Sequence, residues 1–285
     1  MLRITMLLLA LLLSASAVHA QAPDGRLKKI ADSKTINIAY RADAIPFSFI
    51  NAQKEVTGFT IDLCKRVVNS IERQLNTQGI KINWVPVTVQ TRFDAVAKGQ
   101  ADMECGSSTV TLSRMKQVDF SSYTFIESTG LLVKGALGVR SLSDLSGKRI
   151  AVISGTTNER VIDAQLKRRQ FNATVVRVKN SDEGLASLEN GKVDALASDK
   201  LLLVGLSSKS KEPRSFTMLP EDLSFEPYGI VLPRGETALR LAVNTGLAQI
   251  YGSSEIGEIF GRWFAQFGSP TAIMQAVYIF GAIPE

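Results

Sequence analysis

The sequence predicts an α/β protein of two lobes, each with a mostly parallel sheet flanked by helices, joined by two crossover segments. Three observations predict it. Apolar, β-branched runs alternate with segments of helical period, which is typical of parallel strands joined by crossover helices. Residues 93–102 resemble residues 185–194: in each, a helix ends at glycine and leads into a strand. Two extended, glycine-containing stretches, 128–134 and 226–233, interrupt the alternation and are expected to link the lobes. The repeat is short, so chance similarity is the alternative reading.

The N-terminal segment has the features of a signal peptide. Arg3 provides the positive start, residues 4–17 are almost wholly apolar, and Val18 and Ala20 precede the expected cleavage before Gln21. We therefore expect residues 1–20 to be removed and the protein to be exported to the periplasm. No other segment has the length of apolar sequence that a membrane-spanning helix needs.

Composition argues against several function classes. The chain has 33 basic and 27 acidic residues, a net charge of +6 that becomes +5 without Arg3. The basic residues are scattered, so a nucleic-acid partner is not expected. The only histidine, His19, lies in the predicted signal peptide, which leaves no imidazole for a metal site or a serine triad. We expect no metal and no cofactor.

The two cysteines, Cys64 and Cys105, both follow the predicted cleavage site. In an oxidising compartment an even number of cysteines indicates a disulfide. Two buried free thiols are the alternative, because a sequence gives no Cα–Cα distance.

The order of predicted elements sets the lobe boundaries. The first lobe alternates strands and helices through strand 34–40, the helix that begins near Gly58, strand 81–87, helix 92–98 and strand 101–105. The second lobe repeats this order as strand 149–153, a helix to about residue 170, strand 174–178, helix 183–188 and strand 193–198. We therefore assign 21–131 to the first lobe, 132–228 to the second, and 229–267 to a return that packs two helices, 238–251 and 255–267, on the first lobe. The role of the tail, 268–285, is left open.

The segment 104–114 is equipped to hold a small anion. A strand is expected to end at Gly106, where backbone N–H groups become free, and Ser107 and Thr109 add hydroxyl donors. Arg114 supplies a planar guanidinium that can bind a carboxylate through two parallel hydrogen bonds. No nucleophile with a partner base is apparent here.

With these motifs, the chain resembles family 3 of the bacterial extracellular solute-binding proteins, the periplasmic amino-acid receptors of ATP-driven importers. The likeness runs from about Leu27 to Phe267. Its carriers in this sequence are Ile-Pro-Phe-Ser-Phe at 45–49, Gly-Phe-Thr-Ile-Asp-Leu at 58–63, the segment 106–114, Ser-Gly-Thr-Thr at 154–157, and Asp199. It implies a type II periplasmic-binding-protein fold with two hinge crossovers.

Within that family, the chain is most similar to the glutamate/aspartate-binding members. Their arginine before the Pro-Phe-Ser motif is matched by Arg41, the arginine that opens the helix before the third strand by Arg92, and their Glu-Cys-Gly-Ser-Thr-Thr segment by residues 104–109. Two positions depart from that pattern. Ser181 stands where those members have histidine, and Val89 where they have serine, so other ligands remain open.

The resemblance implies a role for each site residue. Arg114, Ser107 and Thr109 are expected to hold the α-carboxylate of the ligand, and Asp199 its α-ammonium group. Arg41 and Arg92 would reach the side-chain carboxylate, and Thr156 and Thr157 would close from the second lobe. Phe47 or Phe49 would form the apolar wall.

The implied function is the substrate-binding component of an ABC amino-acid importer, acting as a monomer with membrane permease subunits and without catalysis. Three alternatives remain: a dehydratase-like enzyme on the same fold, with Glu104 or Glu127 as its acid; a receptor for another polar amino acid; and a chemosensory receptor.

Overall fold

The computed structural model describes residues 24–284. The predicted signal peptide lies outside these residues. Within them, no helix combines the length and the apolar character that crossing a bilayer requires.

The described chain alternates helices and strands in the following order: α1 Gly25–Ser33, β1 Thr35–Arg41, β2 Asp43–Ala44, β3 Ser48–Ile50, β4 Val56–Thr57, α2 Phe59–Gln74, β5 Lys81–Val87, α3 Arg92–Ala97, β6 Met103–Glu104, β7 Val118–Glu127, β8 Thr129–Lys134, β9 Arg149–Ile153, α4 Thr157–Arg169, β10 Thr174–Val178, α5 Ser181–Glu189, β11 Ala195–Asp199, α6 Lys200–Ser207, β12 Phe216–Met218, β13 Glu226–Pro233, α7 Thr237–Tyr251, α8 Glu255–Phe264 and α9 Ala272–Gly281. Short 3₁₀ segments occur at Arg114–Lys116, Gly135–Leu137, Leu142–Leu145, Pro213–Ser215 and Ala265–Phe267.

Two five-stranded sheets form the two lobes. The first has the order β5-β1-β6-β13-β7 and the second β10-β9-β11-β8-β12, and β2, β3 and β4 form a small third sheet. In each large sheet the first three strands run parallel, as the alternation of strands and helices predicts. The α/β, two-lobed fold class is confirmed.

The two stretches that we expected to act as linkers are themselves strands. β8 pairs antiparallel with β11 and β12, and β13 pairs antiparallel with β6 and β7. The chain therefore crosses to the second sheet at Ser128, before the expected boundary at 131/132. It returns between Met218 and Glu226, before the expected boundary at 228/229. The crossings are short because backbone hydrogen bonds hold nearly all of β8 and β13 within one sheet.

The core of the first lobe lies between its sheet and helices α2, α7 and α8. Phe260 and Phe264 of α8 are buried there with Phe125. The tail also packs on this lobe, because Met274 and Tyr278 of α9 are buried against β7 and α7. Residues 272–281 are therefore docked, which answers the question that the sequence left open for this part of the tail.

Cys64 and Cys105 form a disulfide, with an S–S distance of 2.04 Å. The bond ties α2 to the residue that follows β6, directly before Gly106 and Ser107. The disulfide prediction is confirmed.

Candidate functional site

A narrow cleft between the lobes collects the predicted site residues. It lies at the carboxyl ends of parallel strands from both sheets, where open α/β sheets usually bind ligands. Its lining residues are Arg41, Val89, Arg92, Ser107, Thr109, Arg114, Ile153, Thr156, Thr157, Asn158, Ser181, Ser198, Asp199 and Leu202. Every predicted ligand-binding residue except Phe47 is among them.

Phe47 lies elsewhere. Its side chain is fully buried in the core of the first lobe, where its ring contacts Phe59, Phe125, Tyr228 and Phe264. Phe49, the other residue considered for the apolar wall, packs edge-on against Trp263. The aromatic core gives Phe47 more apolar contact than the polar cleft offers, and the apolar lining comes instead from Val89, Ile153 and Leu202.

Arg41 is held at the end of β1. The residue is 6 % exposed, and its guanidinium pairs with the Asp43 carboxylate at 2.6 Å. Its backbone N–H donates to the Ser48 hydroxyl, and that hydroxyl donates back to the Arg41 carbonyl. The Ser48 of the Pro-Phe-Ser motif therefore fixes the backbone from which Arg41 extends.

Arg92 begins helix α3 and is 4 % exposed. Its Nε donates to the Ser108 hydroxyl at 2.9 Å, and its Nη1 donates to the Val89 carbonyl. Burial, and then the positive charges of Arg114 and Arg41, lower the pKa of Arg92 to about 9. The guanidinium therefore remains charged at neutral pH, in a place where a bound anion would relieve the repulsion among the arginines.

Arg114 lies at the start of the 3₁₀ segment after β6. Its Nη1 donates to the Thr109 carbonyl at 2.7 Å, and its guanidinium stands 4.8 Å from the centre of the Phe93 ring. The Arg92 guanidinium lies 4.4 Å from the same ring. Phe93, which our sequence reading did not select, thus positions two of the three arginines. Burial, and then the charge of Arg160, lower the pKa of Arg114 to about 10.

Asp199 ends β11 and lines the cleft with its carboxylate anchored by two hydrogen bonds. Its carboxylate accepts hydrogen bonds from Asn158, at 2.6 Å, and from the Tyr228 hydroxyl. Burial, and then the nearby Glu226 carboxylate, raise the pKa of Asp199 to about 6, against the opposing effect of these two donors. The sequence analysis did not identify Asn158 or Tyr228 as partners of Asp199. The one local signal was the place of Asn158 in the first turn of α4, directly after the Ser-Gly-Thr-Thr motif.

Hydrogen bonds join the lobes across the cleft. Thr157, in the first turn of α4, has its hydroxyl 3.3 Å from that of Thr109. Gln90 donates to the carbonyls of Ser154 and Lys179 at its rim. Thr156 caps α4, and its hydroxyl accepts a hydrogen bond from the Glu159 N–H. The lobes therefore stand closed on each other.

Ser181, which replaces a histidine of the glutamate/aspartate-binding pattern, lines the cleft, as does Val89. A valine side chain has no hydrogen-bonding group, and a serine hydroxyl replaces the two ring nitrogens of a histidine, so these two positions offer less hydrogen bonding than that pattern has. No cluster of three or more His, Cys, Asp or Glu side chains suited to a metal ion occurs within residues 24–284.

Comparisons with known proteins agree with this architecture. The family model for bacterial extracellular solute-binding proteins, family 3, matches residues 36–266. The L-glutamate/L-aspartate-binding protein of Pseudomonas aeruginosa is 35% identical over 260 residues, which is 91% of this chain and 86% of that protein. The glutamate/aspartate import solute-binding protein of Escherichia coli K12 is 30% identical over 261 residues, 90% and 86% of the two chains.

Among solved structures, the ancestral amino acid-binding protein AncCDT-1, described as a precursor of cyclohexadienyl dehydratase, aligns with a TM-score of 0.73 and 27% identity, covering 84% of this chain and 100% of that one. The two-lobed fold is thus shared with this amino acid-binding protein. The chain belongs to family 3 of the bacterial extracellular solute-binding proteins.

Proposed function

We propose that this protein is the periplasmic substrate-binding component of an ABC importer and that it binds an acidic amino acid, glutamate or aspartate, between its lobes. The observation that carries the proposal is the convergence of Arg41, Arg92 and Arg114 with Asp199 on one cleft. These residues come from distant parts of the chain, and no packing requirement of a core would bring three guanidiniums together.

The arrangement fits the charges of such a ligand. An acidic amino acid has two carboxylates and one ammonium group. Arg114, with the hydroxyls of Ser107 and Thr109, would bind the α-carboxylate, and Asp199 the ammonium group. Arg41 and Arg92 would bind the side-chain carboxylate, with Thr156 and Thr157 closing from the second lobe. Each charged pair strengthens as closure removes water.

Two further facts support the proposal. The relatives from Pseudomonas aeruginosa and Escherichia coli are described as glutamate/aspartate-binding proteins. The Thr157–Thr109 and Gln90–Ser154 contacts cross the cleft, so ligand held by both lobes would favour the closed state through its differential affinity. A membrane permease would then recognise the closed monomer.

We further propose that the protein binds its ligand without converting it. The acids that we considered as candidate catalysts, Glu104 and Glu127, do not line the cleft. Burial, and then the Asp199 charge, raise the pKa of Glu127 to about 8, but two backbone N–H groups occupy its carboxylate. Loss of prephenate or arogenate on incubation with the purified protein would favour the enzyme alternative instead.

The direct test is isothermal titration of ligand-stripped protein with glutamate, aspartate, glutamine and arginine. We expect saturable binding of glutamate or aspartate and weaker binding of arginine. Heat from neither acidic amino acid, in a sample with a cooperative melting transition, would refute the ligand assignment. Capture of a permease subunit, and not of a receptor kinase, would separate transport from a chemosensory role.

The two side-chain arginines should control selectivity. Arg92→Ala or Arg41→Ala is expected to weaken glutamate binding by roughly 30-fold or more, since a charged contact is lost, while neutral amino acids lose little. Titration of each variant with glutamate and glutamine measures the difference. An equal loss for both ligands would contradict the assignment of these arginines to the side-chain carboxylate.

Closure itself can be tested at Gly205. A Cβ atom there would lie 2.4 Å from the Ile45 carbonyl oxygen, where α6 of the second lobe meets the first lobe. We expect Gly205→Ala to resist closure and to weaken ligand binding by roughly 5- to 150-fold, from an overpacking cost of about 1–3 kcal/mol. Small-angle scattering with saturating ligand should show a more open protein.

Gly261→Ala is the matched control for Gly205→Ala. Gly261 also lies in a helix, α8, but nothing stands within 4 Å of its added Cβ. We expect this variant to bind and to close as the unmodified protein does. Equal affinities for the two variants would show that the Gly205–Ile45 approach has no part in closure.

A further inference from the structure

Glu104 is a buried carboxylate that the proposed binding scheme does not use. It ends β6, its side chain has no exposed surface, and neither carboxylate oxygen has a hydrogen-bond partner. No basic group of residues 24–284 forms an ion pair with it within 4.0 Å. An ionised carboxylate is strongly disfavoured in such a place without a compensating interaction.

The groups that surround Glu104 are largely those of the side-chain end of the cleft. β1 contributes Arg41, α3 contributes Arg92, and the segment after β6 contributes Ser108 and Arg114. On the remaining side β13 places the apolar Val231 beside it. An added Cβ at Gly106 would lie 2.1 Å from a Glu104 oxygen and 3.4 Å from Arg41 Cγ, so the Glu104 carboxylate and the Arg41 side chain both pack against Gly106.

The nearby arginines are already engaged. Arg41 pairs with Asp43, while Arg92 donates to Ser108 and to the Val89 carbonyl. Burial raises the pKa of Glu104, and the charges of Arg92, Arg41 and Arg114 act against that increase. Glu104 therefore faces opposing influences, and a change of charge next to it shifts the balance between its protonated and ionised forms.

The charge of the cleft depends on this balance. The charged residues that line it are three arginines and Asp199, and Asp43 neutralises Arg41. With Glu104 protonated, the three arginines together with Asp43 and Asp199 have one net positive charge, which complements the net negative charge of glutamate. With Glu104 ionised, these residues and Glu104 have no net charge, which complements glutamine, whose net charge is also zero. Glu127 and Glu226 lie at the ammonium end, which both ligands share, and so do not affect this comparison.

We propose that Glu104 determines selectivity between acidic and amide side chains, and that its proton is the switch: protonated Glu104 favours glutamate, and ionised Glu104 removes that preference. The inference rests on the proposed function, since it assigns the side-chain end of the same cleft. It makes Glu104 a positioning residue that acts through Arg41 and Arg92 without touching the ligand.

The sign of the linkage follows. The side-chain carboxylate of glutamate adds a negative charge near Glu104, which raises the pKa of Glu104 in the complex, so glutamate binding takes up a proton. Glutamine adds no such charge. Glutamate affinity therefore falls, relative to glutamine affinity, as the pH rises through the titration of Glu104.

The experiment measures dissociation constants for glutamate and glutamine from about pH 5.5 to about pH 9. The ratio Kd(glutamine)/Kd(glutamate) should fall about tenfold for each unit by which glutamate raises the pKa of Glu104. The effect of Asp199 titration cancels in this ratio of dissociation constants, because Asp199 is assigned to the ammonium group that both ligands have. In Glu104→Gln, we expect the ratio to stay at its low-pH value throughout.

Glu226→Gln is the matched control, because Glu226 is also a buried carboxylate, 2 % exposed, but lies near Asp199. The Glu226→Gln variant should change the affinities for glutamate and glutamine by the same factor and leave the pH profile of their ratio intact.

A second measurement uses the unmodified protein. Isothermal titration in two buffers of different ionisation enthalpy should show more proton uptake with glutamate than with glutamine.

Three outcomes are distinguishable. The proposal is supported if the ratio depends on pH in the unmodified protein and this dependence disappears in Glu104→Gln. If that variant does not fold, a larger proton uptake with glutamate than with glutamine in the unmodified protein supports it. Binding of both ligands with a ratio independent of pH and with equal proton exchange overturns it, but leaves the proposed function standing. Failure of both glutamate and aspartate to bind at all overturns the proposed function, and the role of Glu104 falls with it.

Discussion

Replacing Arg114 by alanine should weaken the binding of every amino acid that the cleft accepts by roughly 30- to 4,000-fold. This range corresponds to about 2–5 kcal/mol for the loss of one partner of a desolvated charge pair. The loss should be similar for acidic and neutral ligands, because Arg114 is assigned to the α-carboxylate that all of them have. This distinguishes it from Arg41 and Arg92, whose loss should depend on the side chain.

Isothermal titration of Arg114→Ala with glutamate, aspartate and glutamine measures this effect, and thermal melting checks the fold. The fold check is needed because Arg114 also donates to the Thr109 carbonyl and lies against the Phe93 ring. The affinity of Arg114→Lys should lie between that of Arg114→Ala and that of the unmodified protein, because an ammonium group keeps the charge but not the two parallel donors. Arg168→Ala, at an exposed position on α4, is the control that should bind normally. Affinity of Arg114→Ala within threefold of the unmodified protein would rule out the α-carboxylate role.

The arginines and Asp199 line one cleft. Arg41 and Asp199 each end a strand, and the ends of parallel strands meet at one edge of a sheet, so a place near a cleft follows from local sequence for these two residues. Their convergence across two lobes depended on the family likeness, since no local rule relates Arg41 to Asp199. Phe47 shows the limit of that likeness. Its motif is present, but the aromatic side chains of α2, β7 and α8 draw it into the core.

Other features depend on contacts between distant residues and left no local signal. The antiparallel pairing of β8 and β13 changed two expected linkers into sheet strands, because a strand and an extended linker have the same apolar, β-branched composition. Tyr228 reaches Asp199 only through that register. Glu104 was visible in the sequence, but its burial and its place near Arg41 at Gly106 required the assembled sheet.

Removing the disulfide should lower the stability of the first lobe more than any single change at its surface. Cys64 and Cys105 are separated by 41 residues, and closing a loop of that length stabilises the folded state by about 4 kcal/mol in the chain-entropy estimate. We expect the double variant Cys64→Ala, Cys105→Ala to melt roughly 8–16 °C lower, at about 2–4 °C for each kcal/mol in a chain of this size. Alanine avoids placing a hydroxyl in the apolar core beside α2.

Differential scanning calorimetry with and without reductant supplies the control. Dithiothreitol should lower the melting temperature of the unmodified protein and leave the double variant unchanged, since the variant has no bond to reduce. Ligand affinity should also fall, because Cys105 directly precedes the Gly106–Ser107 segment that lines the cleft. A melting temperature insensitive to complete reduction, verified by thiol counting on the unfolded protein, would show that core packing alone holds α2 against β6.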